Sequence, residues 1–352
     1  MKSQTIHDGS TLPVRKDFIA GVDVGGTKVH IADTLSTTVH RYETVNYSDL
    51  YTLLGDYFAK MHAIPDHVTL AIAGPRNAET GEVEHTNLPW PSFNPAEAAR
   101  RFPGTTFETV HDLTAVAAGI LKVEGLNFQQ LKSGRPVNHG TKIAVTISTG
   151  VGVDAAVWDQ RAKQYTFVAG EAGHLGFQPY NEAQERHLKH LFTKYKHPSI
   201  ELAISGKHGV ESWIEHSPEM HEATELAEAI ERAKIADQPV GAVLLAFATE
   251  GSGKSQEAAK TILGHMGALV GNVLADIALA YLATGGVYLT GSVSLGLAEY
   301  WAAQTDFNKA FVRSGTKEHA AWLEDVLSSM PIYLITDPNI GATGALALAE
   351  DM

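Results

Sequence analysis

Apolar residues along this chain gather into short runs that end in polar or glycine turns, the pattern of buried strands closed by loops. Residues 18–24 form such a run, with Asp23 near its end and Gly25, Gly26, Thr27 and Lys28 directly after it. Residues 29–33 and 38–44 predict two further strands of an antiparallel meander. A helix is expected over 47–61, because Leu50, Leu53, Leu54, Tyr57 and Phe58 fall on one face at i, i+3, i+4 spacing. Residues 67–73 predict another strand, closed by Gly74 and Pro75. Three strands, a helix and a strand is not the simple alternation of a dinucleotide fold.

Asn94, Pro95 and Glu97 supply a cap, a first-turn proline and a first-turn acid for a helix running to Arg101 before Pro103 and Gly104 stop it. A strand at 107–110 leads into His111 and Asp112, and alanine-rich 115–121 continues as helix. A strand at 143–147 runs into the small-residue turn 148–152. Residues 180–250 read as charged helices punctuated by Pro198, Pro218 and Pro239, and 258–283 as a long apolar helix. After Gly285 and Gly286 come a strand at 287–290, a helix at 318–327, a strand at 332–335 and a helix at 344–351. The class is α/β.

A length of 352 residues exceeds the roughly 250–300 at which one core stops growing, so two domains are expected. Lysine and arginine number 27 against 40 aspartates and glutamates, a net charge of −13 that disfavours nucleic acid and anionic membranes as partners. With 44% hydrophobic and 19% charged residues, wholesale disorder is excluded. Cysteine is absent, which removes disulfides, thiolate nucleophiles and cysteine-containing zinc sites. Residues 1–17 read as a polar leader without a signal peptide's apolar run, and no later stretch offers roughly twenty uninterrupted apolar residues for a membrane span. A cytoplasmic location is expected.

Several strand ends carry candidate chemistry. Glycines after residues 18–24 let backbone N–H groups approach an anion, Thr27 and Lys28 add donors, and Asp23 suits a hydrated Mg²⁺ beside phosphates; a plain hairpin turn is the alternative. Residues 148–152 and the glycine-bracketed strand at 285–292 are further phosphate-cradle candidates or ordinary loop punctuation. Asp112 either caps its helix or takes the proton of an attacking hydroxyl in phosphoryl transfer. Glu171 and His174 share one short turn and suit a polyhydroxylated ligand, with metal binding as the rival. Histidines 7, 40, 62, 187, 190 and 197 read as surface or core fillers. Gly251 to Ser255 imitates a P-loop ending, but Ala248 stands where its first glycine belongs and no strand pattern precedes it.

Together these motifs resemble the bacterial-type glucokinases, hexose kinases of the actin, hexokinase and Hsp70 ATPase superfamily. The similarity runs from about residue 20 to 349, with segments in family order. Residues 23–27 look like the phosphate-1 turn, 86–90 like the threonine, asparagine, any residue, proline, tryptophan segment, and 111–115 like the signature around the catalytic base. Residues 148–152 are similar to the phosphate-2 turn, 170–174 to the sugar-binding turn, 201–206 to a segment with a further sugar-contacting glutamate, 285–293 to the adenosine motif and 341–344 to the closing turn. His111 replaces the family's asparagine, and the adenosine motif reads Thr290, Gly291, Ser292 where small glycine or alanine residues are usual. The missing cysteines separate the chain from the ROK sugar kinases, whose typical zinc site uses them.

The resemblance implies two RNase H-like lobes with an interdomain cleft: residues 18–111 with about 337–352 as the small lobe, and 112–336 as the large one. It implies ATP-dependent phosphorylation of glucose at its 6-hydroxyl, with ATP and Mg²⁺. Asp112 would be the base; Asn87, His111, Asp112, Glu171, His174 and Glu201 would bind sugar. Asp23, Gly25, Gly26, Thr27, Lys28, Thr149, Gly150, Gly152, Gly291 and Ser292 would bind nucleotide, Asp23 holding Mg²⁺ through water. A homodimer is expected. The alternatives are a kinase for another hexose or an N-acylated hexosamine, a sugar-sensing relative without catalysis, and an actin- or chaperone-like ATPase.

Overall fold

In the computed structural model, which describes residues 3–5, 11–206, 208–313 and 321–350, the first apolar run is the central strand of a mixed sheet. Contacts divide the chain into two units, Met1–Leu126 with Asp337–Met352, and Asn127–Thr336. In the first unit β1 (Ser3–Thr5), β2 (Thr11–Val24), β3 (Lys28–Asp33), β4 (His40–Glu43), β5 (Ile64–Ile72) and β6 (Thr106–Val110) build one sheet. Its order is β4-β3-β2-β5-β6, with β1 paired on β2. β2 to β4 form the expected antiparallel meander, and β2, β5 and β6 run parallel.

The expected polar leader is therefore in part strand. Val14 and Arg15 pair with Ile64 and Pro65, and a register shift separates them from the regular pairing that begins at Ile19. Polar side chains do not prevent this, because the ladder is made by backbone groups. The other leader residues, 1, 2 and 6–10, lie outside the described residues.

Helix α1 (Leu50–Met61) starts at Asp49, whose carboxylate accepts the Thr52 N–H, and stops at His62 in the left-handed region (φ 53°). Helix α2 (Pro95–Arg101) is capped by Asn94 as expected. Both cover a core that includes Phe18, Leu54, Tyr57, Phe58, Phe93 and Phe107. Helix α3 (Asp112–Lys122) packs with the C-terminal helix Ile340–Ala349. Two glycines make that approach possible: a Cβ at Gly344 would collide with the Ala115 carbonyl, and one at Gly119 would strike Ile340. This packing assigns α3 to the first unit, so the expected boundary at 112 moves to 126/127.

The second unit contains β7 (Phe128–Lys132), β8 (Lys142–Ile147), β9 (Val151–Asp159), β10 (Gln164–Gly170), β11 (Gly286–Thr290) and β12 (Ile332–Ile335), ordered β10-β9-β8-β11-β12-β7. Leaving out β1, which pairs with the start of β2, and the edge strand β7, both sheets share one plan. A first strand lies centrally, a two-strand antiparallel meander lies on one side, and two parallel strands lie on the other. Two lobes built alike were the expectation.

Between β10 and β11 lie α4 (Glu182–Lys194), α5 (Ile200–Ile204), α6 (His208–His216), α7 (Thr224–Ile235), α8 (Val240–Glu250) and α9 (Gly253–Tyr281). Between β11 and β12 lie α10 (Ser292–Ala303), α11 (Thr305–Val312) and α12 (Ala321–Ser329). The expected helix ends at 318–320 and 351 fall outside the described residues. By length and hydropathy (1.6) α9 could span a membrane, but polar residues interrupt it and 78% of its apolar window is buried in the protein, which accounts for that surface. The P-loop imitation spans the junction of α8 and the first turn of α9, with no strand before it, and Lys254 pairs with Glu222 and Glu257. His187 is buried and stacked on Trp213, with ring centroids 4.0 Å apart, and burial pushes its pKa down to about 3.

Candidate active site

The candidate residues emerge at the carboxyl ends of strands. In the first unit, parallel β2, β5 and β6 finish at the same edge, and the segments after them carry Gly25 to Lys28, Asn87, and His111 with Asp112. In the second, β8, β10 and β11 likewise point one way, leading into the turns at 148–152, 170–174 and 291–292. That edge is where open α/β sheets bind ligands, because loops there can vary without disturbing the ladder.

The turn after β2 is held by both faces of Thr44, whose N–H donates to the Thr27 carbonyl (2.9 Å) and whose hydroxyl donates to the Gly26 carbonyl (3.0 Å). Gly25 donates to the Lys28 carbonyl at 3.0 Å. Thr27 and Lys28 are exposed, and the Lys28 ammonium lies 3.5 Å from Glu43. Asn87 is fixed between two anchors: Thr86 donates through its hydroxyl to the Ala73 carbonyl (3.2 Å), and the Trp90 indole donates to the Tyr47 carbonyl (3.0 Å). A Cβ at Gly26 would lie 3.3 Å from Asn87, so turn and asparagine touch.

Asp23 is partly buried, its carboxylate against Gly341 in the first turn of the C-terminal helix. Burial, with the nearby Asp112 carboxylate adding to it, pushes its pKa up to about 7. Asp112 is the first residue of α3, not its N-cap; His111 holds that position and makes no side-chain capping bond. The Asp112 carboxylate accepts the Leu113 N–H at 2.8 Å, lies 3.4 Å from His111 Nε2, and is 35% exposed.

In the second unit, Ser148 donates to the Gly150 carbonyl (2.8 Å), and Thr149 at the tip is exposed. Gly173 packs so closely on the Val151 carbonyl that a Cβ there would collide, which sets the Glu171–His174 turn beside the 148–152 turn. Glu171 and His174 are exposed and 3.8 Å apart. Gly291 (φ 93°) abuts Ile147 and Thr146, and a Cβ at Gly206 would lie 3.0 Å from Val293, so the segment carrying Ser292 joins the same group. Glu201, expected to face sugar, accepts the Val151 N–H at 3.0 Å through Oε2. Sequence motifs alone did not signal that bond.

Among the described residues no cluster of three or more His, Asp and Glu side chains could hold a metal. A separate cavity of about 870 Å³, lined by Tyr180, Arg186, His265, Asn272, Lys309 and Arg313 among others, contains none of the candidate residues.

The glucokinase family profile matches residues 20–352. A glucokinase from Chromobacterium violaceum is 29% identical over 340 residues, covering 94% of this chain and 88% of the relative. Among solved structures, a glucokinase from an Antarctic psychrotroph superposes with a TM-score of 0.77 at 22% identity, over 96% of this chain and 100% of that one. A ROK family glucokinase from Streptomyces griseus, in complex with glucose and AMPPNP, gives 0.60 at 17% identity, over 95% and 100%. With matching motifs on both sheets and a family match over nearly its whole length, the chain belongs to the glucokinase family.

Proposed function

We propose that this protein transfers the γ-phosphoryl group of ATP to the 6-hydroxyl of glucose. The supporting observation is the placement of the candidate residues at the carboxyl edges of two sheets of one plan, with Asp112 partly exposed at the start of α3. Asp112 accepts the proton of the attacking hydroxyl, a role worth on the order of 10²–10⁴ in rate. Positioning and phosphate electrostatics supply the larger share. Asn87, His111, Glu171, His174 and Glu201 orient the sugar, since carboxylates and amides pair with vicinal hydroxyls. Backbone amides of Gly26, Thr27, Thr149, Gly150 and Gly152, with Lys28, bind phosphates, Gly25 closes its turn through its own N–H, and Gly291 and Ser292 flank the nucleoside.

Asp23 fits a hydrated Mg²⁺, because a carboxylate raised by burial and a neighbouring acid gains most from a divalent cation. When bound, Mg²⁺ neutralises charge on the transferring phosphates. The proposal includes a cytoplasmic homodimer.

His111 favours a second reading: an imidazole where the family has an amide changes the donors and acceptors offered to the sugar, which suits another hexose or an N-acylated hexosamine. An ADP-release assay across sugars decides between them. Glucose should give the highest kcat/KM, and Asp112→Asn should lower kcat at least 100-fold while leaving glucose binding by calorimetry within a few-fold. Strong turnover of another sugar with none of glucose would transfer the assignment to that sugar. Thermal shifts by sugar or nucleotide without product would make the chain a sensor.

A further inference from the structure

The 148–152 turn is bracketed by α5 at two points. On one side the Gly206 N–H, just after the helix, donates to the Ser148 carbonyl at 2.7 Å. On the other the Val151 N–H donates to Glu201 Oε2 at 3.0 Å. Glu201 reaches this bond only because residue 150 is glycine: a Cβ there would lie 2.6 Å from Oε2. The same helix is tied to the neighbouring turn, since the Ile200 N–H donates to the Leu175 carbonyl at 2.8 Å, directly after His174. Ser199 fixes the start of α5 by accepting the Leu202 N–H. The second carboxylate oxygen of Glu201, Oε1, has no hydrogen-bond partner among the described residues.

We infer that Glu201 is a positioning residue for the nucleotide-phosphate turn: its Oε2 holds Val151 and so the amides of 149–152, while Oε1 remains for a sugar hydroxyl. One side chain then sets the phosphate turn and the sugar turn in a common frame. The backbone conformation that presents donors to a phosphate is fixed before the nucleotide arrives, and less ordering is required on binding. The inference rests on the reading of 148–152 as a nucleotide turn, but its structural half does not.

Three single variants and one double variant separate these parts. Glu201→Gln keeps an oxygen for the Val151 N–H and loses the carboxylate; Glu201→Ala loses both. Gly150→Ala presses a methyl on the carboxylate and should act as Glu201→Ala does, while adding little in a Glu201→Ala background because nothing is left to displace. Hydrogen exchange of the peptide spanning 148–152, without ligand, should accelerate at least tenfold in Glu201→Ala and in Gly150→Ala and change less than threefold in Glu201→Gln. Equilibrium binding of AMPPNP with Mg²⁺ and no sugar should weaken about tenfold in the first two and less than threefold in Glu201→Gln, whereas KM for sugar rises in both Glu201 variants. Unchanged exchange in Glu201→Ala overturns the clamp, as does additive damage in the double variant. Accelerated exchange with unaltered AMPPNP affinity overturns its role in nucleotide binding. If the wild-type protein fails to bind AMPPNP while the exchange results hold, the clamp stands and the nucleotide reading falls. Should Glu201→Ala not unfold cooperatively, the Gly150→Ala and Glu201→Gln comparison decides alone: equal exchange in those two sinks the proposal.

Discussion

Asp23 lies where an anion costs free energy, between buried backbone and a second carboxylate, and its pKa rises from 3.8 to about 7. An acid whose folded pKa exceeds its unfolded value binds more protons when folded. The stability this contributes is present below about 3.8 and is lost as pH rises through about 7. Asp23→Asn should therefore raise the thermal midpoint of the ligand-free protein at pH 8 and raise it much less at pH 5, while removing Mg²⁺-dependent turnover. Equal increments at the two pH values would show that Asp23 is not strained. At this scale the sequence marks candidate positions, since Asp, Gly and His gather at strand ends, although turns and caps use the same residue types. The Glu201 bond was not, since it joins residues 50 apart whose proximity only the fold creates.

Where α3 meets the C-terminal helix, the crossing depends on glycine more than on any apolar side chain. A Cβ at Gly344 would meet the Ala115 carbonyl and the Gly119 N–H, backbone atoms of α3 that cannot rotate away. Gly344→Ala, normally favourable in a helix by roughly 1 kcal/mol, should here destabilise by about 3 kcal/mol, the upper end of typical overpacking. Chemical denaturation would read this as a lower midpoint at unchanged slope, and a midpoint at or above wild type would refute the close crossing. The same contact explains why the boundary expected at 112 was misplaced: a helix read from its own sequence does not announce which unit it packs on. Strands β9 and β10 escaped the periodic reading for a related reason. β9 has a buried stretch at residues 153–156 with no alternation, β10 has no buried residue, and what makes them strands is the pairing of β10 on β9 and of β9 on β8.

Over the whole molecule, a net charge of −13 must admit a polyanionic nucleotide. In the proposed site local attraction would come from turn amides and Lys28, and Lys28 already lies 3.5 Å from Glu43, so its charge is partly offset. The long-range field therefore opposes ATP on approach even though the turns favour it on arrival. Screening acts mainly on the first of these, because added salt shortens the Debye length from roughly 20–30 Å near 0.01–0.02 M to about 8 Å at 0.15 M, while hydrogen bonds from backbone amides are short-ranged. KM for MgATP should fall, on the order of two- to threefold, as NaCl increases from about 20 to about 150 mM at fixed Mg²⁺, with KM for the uncharged sugar unchanged. Stopped-flow binding of a fluorescent nucleotide should place the gain in the association rate, because the contacts that govern dissociation do not change. A KM for MgATP that rises with salt would mean that cationic side chains around the turns, rather than backbone amides, dominate the field ATP meets.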